Sequence, residues 1–328
     1  MHMSRPQAMY QCCFSKFVKE FEWFRSQATG QLAYFIDLIS YEYQISNVIE
    51  IIAATVKGTP ATEIIEHLHP LGRSPYINTM LTFEKEDNLL DLYTVVLVDM
   101  PVAKYFAQYF ENITQSGEPS KALLGTFTEV DVNVIFAHLR KIWLEDMYAF
   151  CQTLGGETWA TMKEVLDFEA DRHAIEIVHN SIAVKSTLND PANRIQRQEL
   201  FCNIGKLYPD CTCQVDANTI LPSTSRNFSR INVDAALAAA LEVYPTYSQA
   251  IQKSQDRVMS LSDALKYAEV ALLKKSFDGQ CQISIFYAYV KLKLIELENI
   301  RSINSALSFR SRITQDSKKP TVKYIPIF

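Results

Sequence analysis

Glycine and proline are scarce, with 9 Gly and 12 Pro among 328 residues. This is about half their usual combined share, which excludes a collagen-like or low-complexity disordered chain. Few glycines also mean few tight turns and few loops that could cradle a phosphate. The composition therefore favours long helices over a fold of many short strands.

The motifs of several enzyme classes are also missing. The sequence contains no GxxxxGK[ST], GxGxxG, GxSxG or HExxH pattern and no EF-hand loop, so the usual devices for nucleotide, serine-hydrolase and zinc-protease chemistry are absent. No apolar run approaches the ~18 residues of a membrane-spanning helix. With 37 acidic and 32 basic side chains, the net charge of -5 argues against a nucleic-acid partner.

Seven cysteines are present, an odd number without the spacing of a disulfide scaffold. We predict that they are reduced thiols. Cys211 and Cys213 offer half of a metal clamp, but no second pair accompanies them, so no metal is predicted there.

Apolar residues recur every three or four positions along most of the chain, which predicts amphipathic helices. The predicted helical segments are 14–56, 88–110 with a break at Met100-Pro101, Glu129–Leu154 ended by Gly155-Gly156, 158–181, and 282–307. The last of these is apolar on two sides and should be central. The apolar tail 324–328 (YIPIF) is predicted to dock onto the protein.

A faint repeat links three polar patches inside otherwise apolar helices. Their central residues Asn47, Arg172 and Asn299 are 125 and 127 residues apart. This spacing fits three related helical modules. Polar side chains at these positions would fix helix register or line a cavity.

Two constellations could carry catalysis. Glu66-x-x-His69 and Glu176-x-x-His179 match the helical ligand pairs of two-metal carboxylate bundles, although Pro70 should force His69 out of helical geometry. The acidic segment 164–176 could supply a general acid and base, or form a charge lattice between helix neighbours. The lattice explains the spacing of Glu169 and Arg172 better.

Nine short segments, in order along the chain, resemble the family of d subunits of vacuolar-type proton-pumping ATPases. They are 34–48 (YFIDLISYEYQISNV), 69–72 (HPLG), 97–103 (LVDMPVA), 150–156 (FCQTLGG), 166–172 (LDFEADR), 205–209 (GKLYP), 286–293 (FYAYVKLK), 298–301 (ENIR) and 324–328 (YIPIF). The ordered series, which extends over about residues 17–328, carries the resemblance more than any one segment.

The sequence also departs from the family pattern. A glycine- and arginine-containing helix pair expected near the family's N-terminus has no counterpart before Phe14. Segments 114–128, 186–197 and 211–230 resemble insertions. His173 stands where the family commonly has a second arginine.

The resemblance implies an all-α funnel of three similar modules in a pseudo-threefold arrangement. We expect these modules at 1–110, 111–235 and 236–328. It further implies a non-catalytic subunit without a cofactor, which couples the central stalk to the proteolipid ring on the cytosolic face of vacuolar or other acidified membranes. The implied partners are the proteolipid ring, the stalk subunits D and F, and subunit a.

For binding residues, we predict that five charged side chains line the funnel or contact a partner: Glu169, Arg172, Lys293, Glu296 and Arg301. The strip from Lys291 to Arg301 could equally be an ordinary solvated rim. The alternative function is a divergent helical scaffold that does not assemble into the pump.

Overall fold

The computed structural model describes residues 5–81, 97–115, 129–183, 199–207, 241, 244–256, 259–279, 282–310 and 324–327. All regular secondary structure in these residues is helical, which confirms the predicted all-α class. The helices are α1 (Arg5–Gln27), α2 (Gly30–Lys57), α3 (Ala61–His67), α4 (Ile77–Met80), α5 (Ala103–Gln115), α6 (Glu129–Leu154), α7 (Gly156–Ala183), α8 (Pro245–Gln255), α9 (Leu261–Lys275) and α10 (Ser284–Arg310), with 3-10 turns at Pro70–Gly72 and Leu97–Asp99.

Glycines follow two of the long helices, α2 and α6. Helix α2 ends at Gly58, which is left-handed at φ 75° and donates its N–H to carbonyls of the last turn. Helix α6 has the predicted bounds, and Gly155 and Gly156 follow it at φ 65° and 57°. Two left-handed residues in succession reverse the chain, so α7 packs back along α6.

Two of the predicted helical segments differ from the structure by more than the two or three residues that separate 158–181 from α7 and 282–307 from α10. The segment 14–56 is two helices, α1 and α2, separated at Ala28 and Thr29. In the segment 88–110, only the part from Leu97 is described, and its helix begins at Ala103, after the predicted break at Pro101. The three predicted insertions lie almost entirely outside the described residues.

The main apolar core lies where α2, α6, α7 and α10 pack together, with α1 against α10. Trp143 of α6 is fully buried and donates its indole N–H to the Leu38 carbonyl of α2 at 2.8 Å. A second cluster joins α7 to α8 and α9. Helix α10 contacts α1, α2, α7 and α9, which confirms that it is central.

The three longest described helices, α2, α7 and α10, have 28, 28 and 27 residues. In α2, the Asn47 side chain donates to the His69 carbonyl at 2.9 Å and accepts the His69 N–H at 2.7 Å. In α10, the Asn299 side chain makes the same pair of bonds with the backbone of Ile325, at 2.8 and 3.0 Å. In each case one side-chain amide binds the backbone of a later segment that packs against the same helix. We call this pair of hydrogen bonds a clamp.

The third clamp, in α7, is made by Asp171 rather than by Arg172. Its carboxylate accepts the backbone N–H groups of Lys206 at 3.1 Å and Leu207 at 3.0 Å. Asn47, Asp171 and Asn299 are 124 and 128 residues apart, close to the spacing of 125 and 127 residues for Asn47, Arg172 and Asn299.

Glycine allows two of the returning segments to approach their helices. A Cβ at Gly72 would collide with the backbone carbonyl of Tyr43, and one at Gly205 would collide with the Asp171 carboxylate. The segment after α10 has no such glycine and instead buries Ile325 and Ile327. The predicted docking of the C-terminal tail is confirmed for these described residues.

Candidate functional site: a buried charge network between the long helices

Three helices meet at one ammonium group whose side chain is only 11% exposed. The Lys291 Nζ of α10 lies 2.9 Å from a Glu42 carboxylate oxygen of α2 and 3.1 Å from Glu169 Oε1 of α7. Tyr287 of α10 donates its hydroxyl to the same Glu169 oxygen at 2.6 Å. We call Glu42, Glu169, Lys291 and Tyr287 the central node.

A second ion pair continues the network into α9. Arg172 Nη1 donates to Glu269 Oε2 at 2.9 Å, and both side chains are at most 10% exposed. Arg172 Nη2 lies 4.0 Å from Glu169 Oε2, at the limit of an ion pair. Glu169 Oε2 and Arg172 Nε are buried without a hydrogen-bond partner among the described residues. The network thus connects α2, α7, α9 and α10, although these two polar atoms make no hydrogen bond among the described residues.

Helical spacing creates this arrangement. Glu169 and Arg172 are three residues apart on α7, and Tyr287 and Lys291 are four apart on α10, so each pair shares one helix face. Lys291 Nζ also lies 5.2 Å from the centroid of the Tyr287 ring, within the range of a cation-π contact.

The charges nearly balance in the interior. Burial alone would raise the pKa of Glu169. The positive charges of Lys291, Arg172 and the nearby Arg140 outweigh the effect of burial, and they hold the pKa of Glu169 at about 2. Burial also opposes the charge on Lys291, yet Glu169 and Glu42 hold its pKa well above the usual value. At Glu269 burial outweighs the attraction of Arg172, so its pKa is raised. Glu269 is therefore more readily protonated than Glu169.

The five charged residues predicted to line a funnel fall in two environments. Glu169 and Arg172 belong to the network, with side chains 0% and 10% exposed, so a lining role does not fit them. Lys293 and Glu296 form their own pair at 2.8 Å and are 37% and 43% exposed. Arg301 is exposed in the second half of α10. Three of the five are therefore available to a partner.

The acidic segment 164–176 forms a charge lattice rather than an acid and base pair aimed at a cavity. Asp167 accepts from Lys163 at 2.6 Å, and Glu164 from Lys275 of α9 at 2.8 Å. Asp171 accepts the Tyr247 hydroxyl at 2.6 Å besides the two backbone N–H groups of its clamp. Glu164 and Asp171 thus join α7 to α9 and α8, whereas the Asp167 pair lies within α7.

The paired Glu-x-x-His motif does not form a described metal centre. Within the ranges that the structure describes, no three His, Cys, Asp or Glu side chains are grouped to hold a metal ion. His69 follows α3 in an extended conformation, at φ -70° and ψ 123°, as Pro70 predicts. Its ring stacks on Tyr43 at 4.3 Å. The His179 side chain, Cys211 and Cys213 lie outside the described residues.

Sequence reasoning missed Glu42 and Glu269 and placed Lys291 only on a surface strip. The available signal was a charged residue whose neighbours three and four positions away are apolar. Around Lys291 these neighbours include Ala288, Leu294 and Ile295, two of which are buried. A charge at such a position predicts a buried partner, but not which one.

None of the described helices is both long and apolar enough to cross a membrane.

Comparisons with known proteins agree with the resemblance found in the sequence. The model of the ATP synthase (C/AC39) subunit family matches residues 2–312, so the match begins before Phe14. The V-type proton ATPase subunit d of Dictyostelium discoideum is 34% identical over 313 residues, which cover 95% of this chain and 77% of that protein. The V-type proton ATPase subunit d of Neurospora crassa is 31% identical over 326 residues, 95% of this chain and 80% of that protein. The chain therefore belongs to the ATP synthase (C/AC39) subunit family, and these relatives are d subunits of V-type proton ATPases.

Proposed function

We propose that this chain is the d subunit of a V-type proton ATPase and a non-catalytic part of its rotor. In this role it couples the central stalk to the proteolipid ring, and so couples ATP hydrolysis to proton transport. The observation that carries the proposal is similarity to named d subunits over 95% of the chain. This similarity includes every helix of the charge network.

The physical character of the fold supports a mechanical role. A part that transmits torque must resist bending, and close-packed helices with few internal glycines have that property. At 1.5 Å per residue, α2, α7 and α10 are each about 40 Å long. The central node and the Arg172–Glu269 pair join these helices side by side to each other and to α9.

The proposed partners are the proteolipid ring, the stalk subunits D and F, and subunit a. The proposed location is the cytosolic face of vacuolar or other acidified membranes, with the ring as the only membrane contact. Lys293, Glu296 and Arg301 are the proposed contacts to a partner, because their side chains reach solvent on α10.

The proposed modules are 1–110, 111–235 and 236–328. Their support is the repeated clamp, since Asn47, Asp171 and Asn299 each bind the backbone of a segment 22 to 36 residues further along the chain. One long helix and one returning segment in each module are what a threefold repeat requires.

Affinity purification from native membranes tests the assignment. The tagged chain is extracted in mild detergent, recovered and analysed by mass spectrometry, with the tag alone as control. We expect the proteolipid and subunits a, D and F to copurify. Recovery of a soluble chain without these subunits would contradict the proposal and favour the scaffold function.

A further inference from the structure

We infer that Glu42, Glu169 and Lys291 are positioning residues that fix the relative register of α2, α7 and α10 and carry load between the three proposed modules. The load-carrying part rests on the proposed function. The register part concerns the protein alone. Each of the three residues comes from a different proposed module, and both carboxylates lie within 3.1 Å of Lys291 Nζ.

Charge pairs fix register more strictly than the surrounding apolar contacts. Apolar side chains of similar volume can exchange neighbours at modest cost, since cores tolerate repacking. A buried ammonium cannot slide away from its carboxylates in the same way, because an unpaired buried charge is strongly destabilising. A displacement of α10 by one residue moves Lys291 by about 1.5 Å and turns it about 100° around the helix axis. Both contacts would then be lost.

The network is not explained by stability alone. Neutral residues of similar volume often replace a buried ion pair with little loss of stability. The central node also leaves Glu169 Oε2 without a hydrogen-bond partner among the described residues. The central node holds three helices at one point in spite of this unpaired oxygen. This indicates that the relative register of α2, α7 and α10 must be defined.

The chain offers a matched control. Lys275 and Glu164 also join two helices, α9 and α7, at 2.8 Å, but their side chains are 57% and 51% exposed. Exposed pairs contribute little to stability because water competes for both charges. The variant E164Q/K275M therefore removes an interhelical pair of the same chemistry from the surface.

The test compares this control with the neutral variant E42Q/E169Q/K291M. Hydrogen exchange followed by mass spectrometry measures backbone opening in the purified proteins. We expect amides of α2, α7 and α10 near the central node to exchange about tenfold faster in the neutral variant, with no change in the control. Unchanged exchange in the neutral variant would overturn the inference.

A single substitution covers the case in which the triple variant does not fold. Glu42→Gln removes the charge of Glu42 on α2 and leaves the Glu169–Lys291 pair of 3.1 Å in place. We expect faster exchange in α2 around residue 42, with α7 and α10 unchanged. If hydrogen exchange became equally faster in all three helices, or did not become faster in α2, a separate positioning role for each residue would be contradicted.

The load-carrying part is measured in membrane vesicles from cells in which this chain replaces the resident subunit. Pumps that contain the neutral variant should hydrolyse ATP but transport fewer protons per ATP. Pumps that contain the E164Q/K275M control should transport as many protons per ATP as the wild type. Faster exchange with unchanged coupling would overturn the load-carrying part alone. If the wild-type chain does not join the pump, the proposed function fails, while hydrogen exchange still decides the register part.

Discussion

Two histidines, His138 and His173, are buried in helices, a third, His69, is half-buried after α3, and all three are held neutral. Burial is the main cause in each case, and a nearby cation adds to it: Lys291 for His69, Lys141 for His138 and Arg140 for His173. The pKa values are lowered to about 4, about 4 and about 3, respectively. The ring of His173 donates to the Ala137 carbonyl at 3.3 Å. Rings with pKa values this low carry no charge at neutral pH.

Acidification should destabilise the protein through these rings. The unfolded chain protonates a histidine below about pH 6.5, whereas folded His173 stays neutral until about pH 3, so the unfolded state binds more protons between these values. Stability must fall as the pH decreases through this window. For His173 alone, a change from about pH 7.5 to about pH 5 should cost about 2 kcal/mol. Urea unfolding measures the free energy of unfolding at both pH values. Between them, this free energy should fall by about 2 kcal/mol less in His173→Gln than in the wild type.

Exposed His67 provides the control, since His67→Gln should retain the wild-type pH dependence. Glu269 and Asp171 act in the opposite direction, because burial raises the pKa of both carboxyl groups and acidification relieves that cost. Comparing variants at matched pH cancels their contribution. A His173→Gln protein with the full wild-type loss would contradict the neutral assignment.

At this scale the sequence predicts neighbours along a helix but not partners across the fold. The three-residue spacing of Glu169 and Arg172 was sufficient to place them on one face of α7. Their stronger partners, Lys291 and Glu269, are about a hundred residues away in sequence. Only the packing of α7 against α9 and α10 brings them together.

At the scale of elements, the C-terminal segment is held by one side chain and two buried residues. Asn299 makes two hydrogen bonds to the backbone of Ile325, and Ile325 and Ile327 pack in a small cluster with Val270 and Ile295. A terminal segment without such contacts would fray. The clamp therefore fixes where the chain returns to α10.

Asn299→Ala should release this segment. The substitution leaves the buried N–H and carbonyl of Ile325 without their partners, which should lower the free energy of unfolding by about 1–3 kcal/mol. Urea unfolding measures this loss, and carboxypeptidase digestion should remove the tail faster. Asn78→Ala, at an exposed position of α4, should change neither measurement. An Asn299→Ala tail that remains resistant to digestion would show that Ile325 and Ile327 suffice to hold it.

The elements were more predictable than the contacts between them. Helix α6 has its predicted bounds because apolar periodicity and the two following glycines act locally. In α7 a sequence pattern cannot show which of two adjacent polar residues faces a returning backbone. Asp171 and Arg172 point to different neighbours, and only the former binds Lys206 and Leu207.

For the whole molecule, α10 separates two kinds of charge along its length. Lys291 faces the interior and pairs with α2 and α7. Lys293, Glu296 and Arg301 reach solvent on the same helix. Helix α10 thus carries both the ion pairs of Lys291 and the proposed partner contacts. A force applied at its exposed surface would be passed directly to the central node.

Arg301→Glu should weaken assembly without weakening the fold. Reversing an exposed charge changes stability little, whereas at a charged interface it replaces attraction with repulsion. We expect less of this variant than of the wild type to be retained with the proteolipid ring after detergent extraction. Because salt screens such contacts, the difference should shrink as ionic strength rises well above about 0.15 M. Arg73→Glu makes the same change at another exposed arginine, outside α10, and should leave retention unaltered. If Arg301→Glu and Arg73→Glu assemble equally well at low salt, this part of α10 is a solvated rim and the partner contacts must lie on another face.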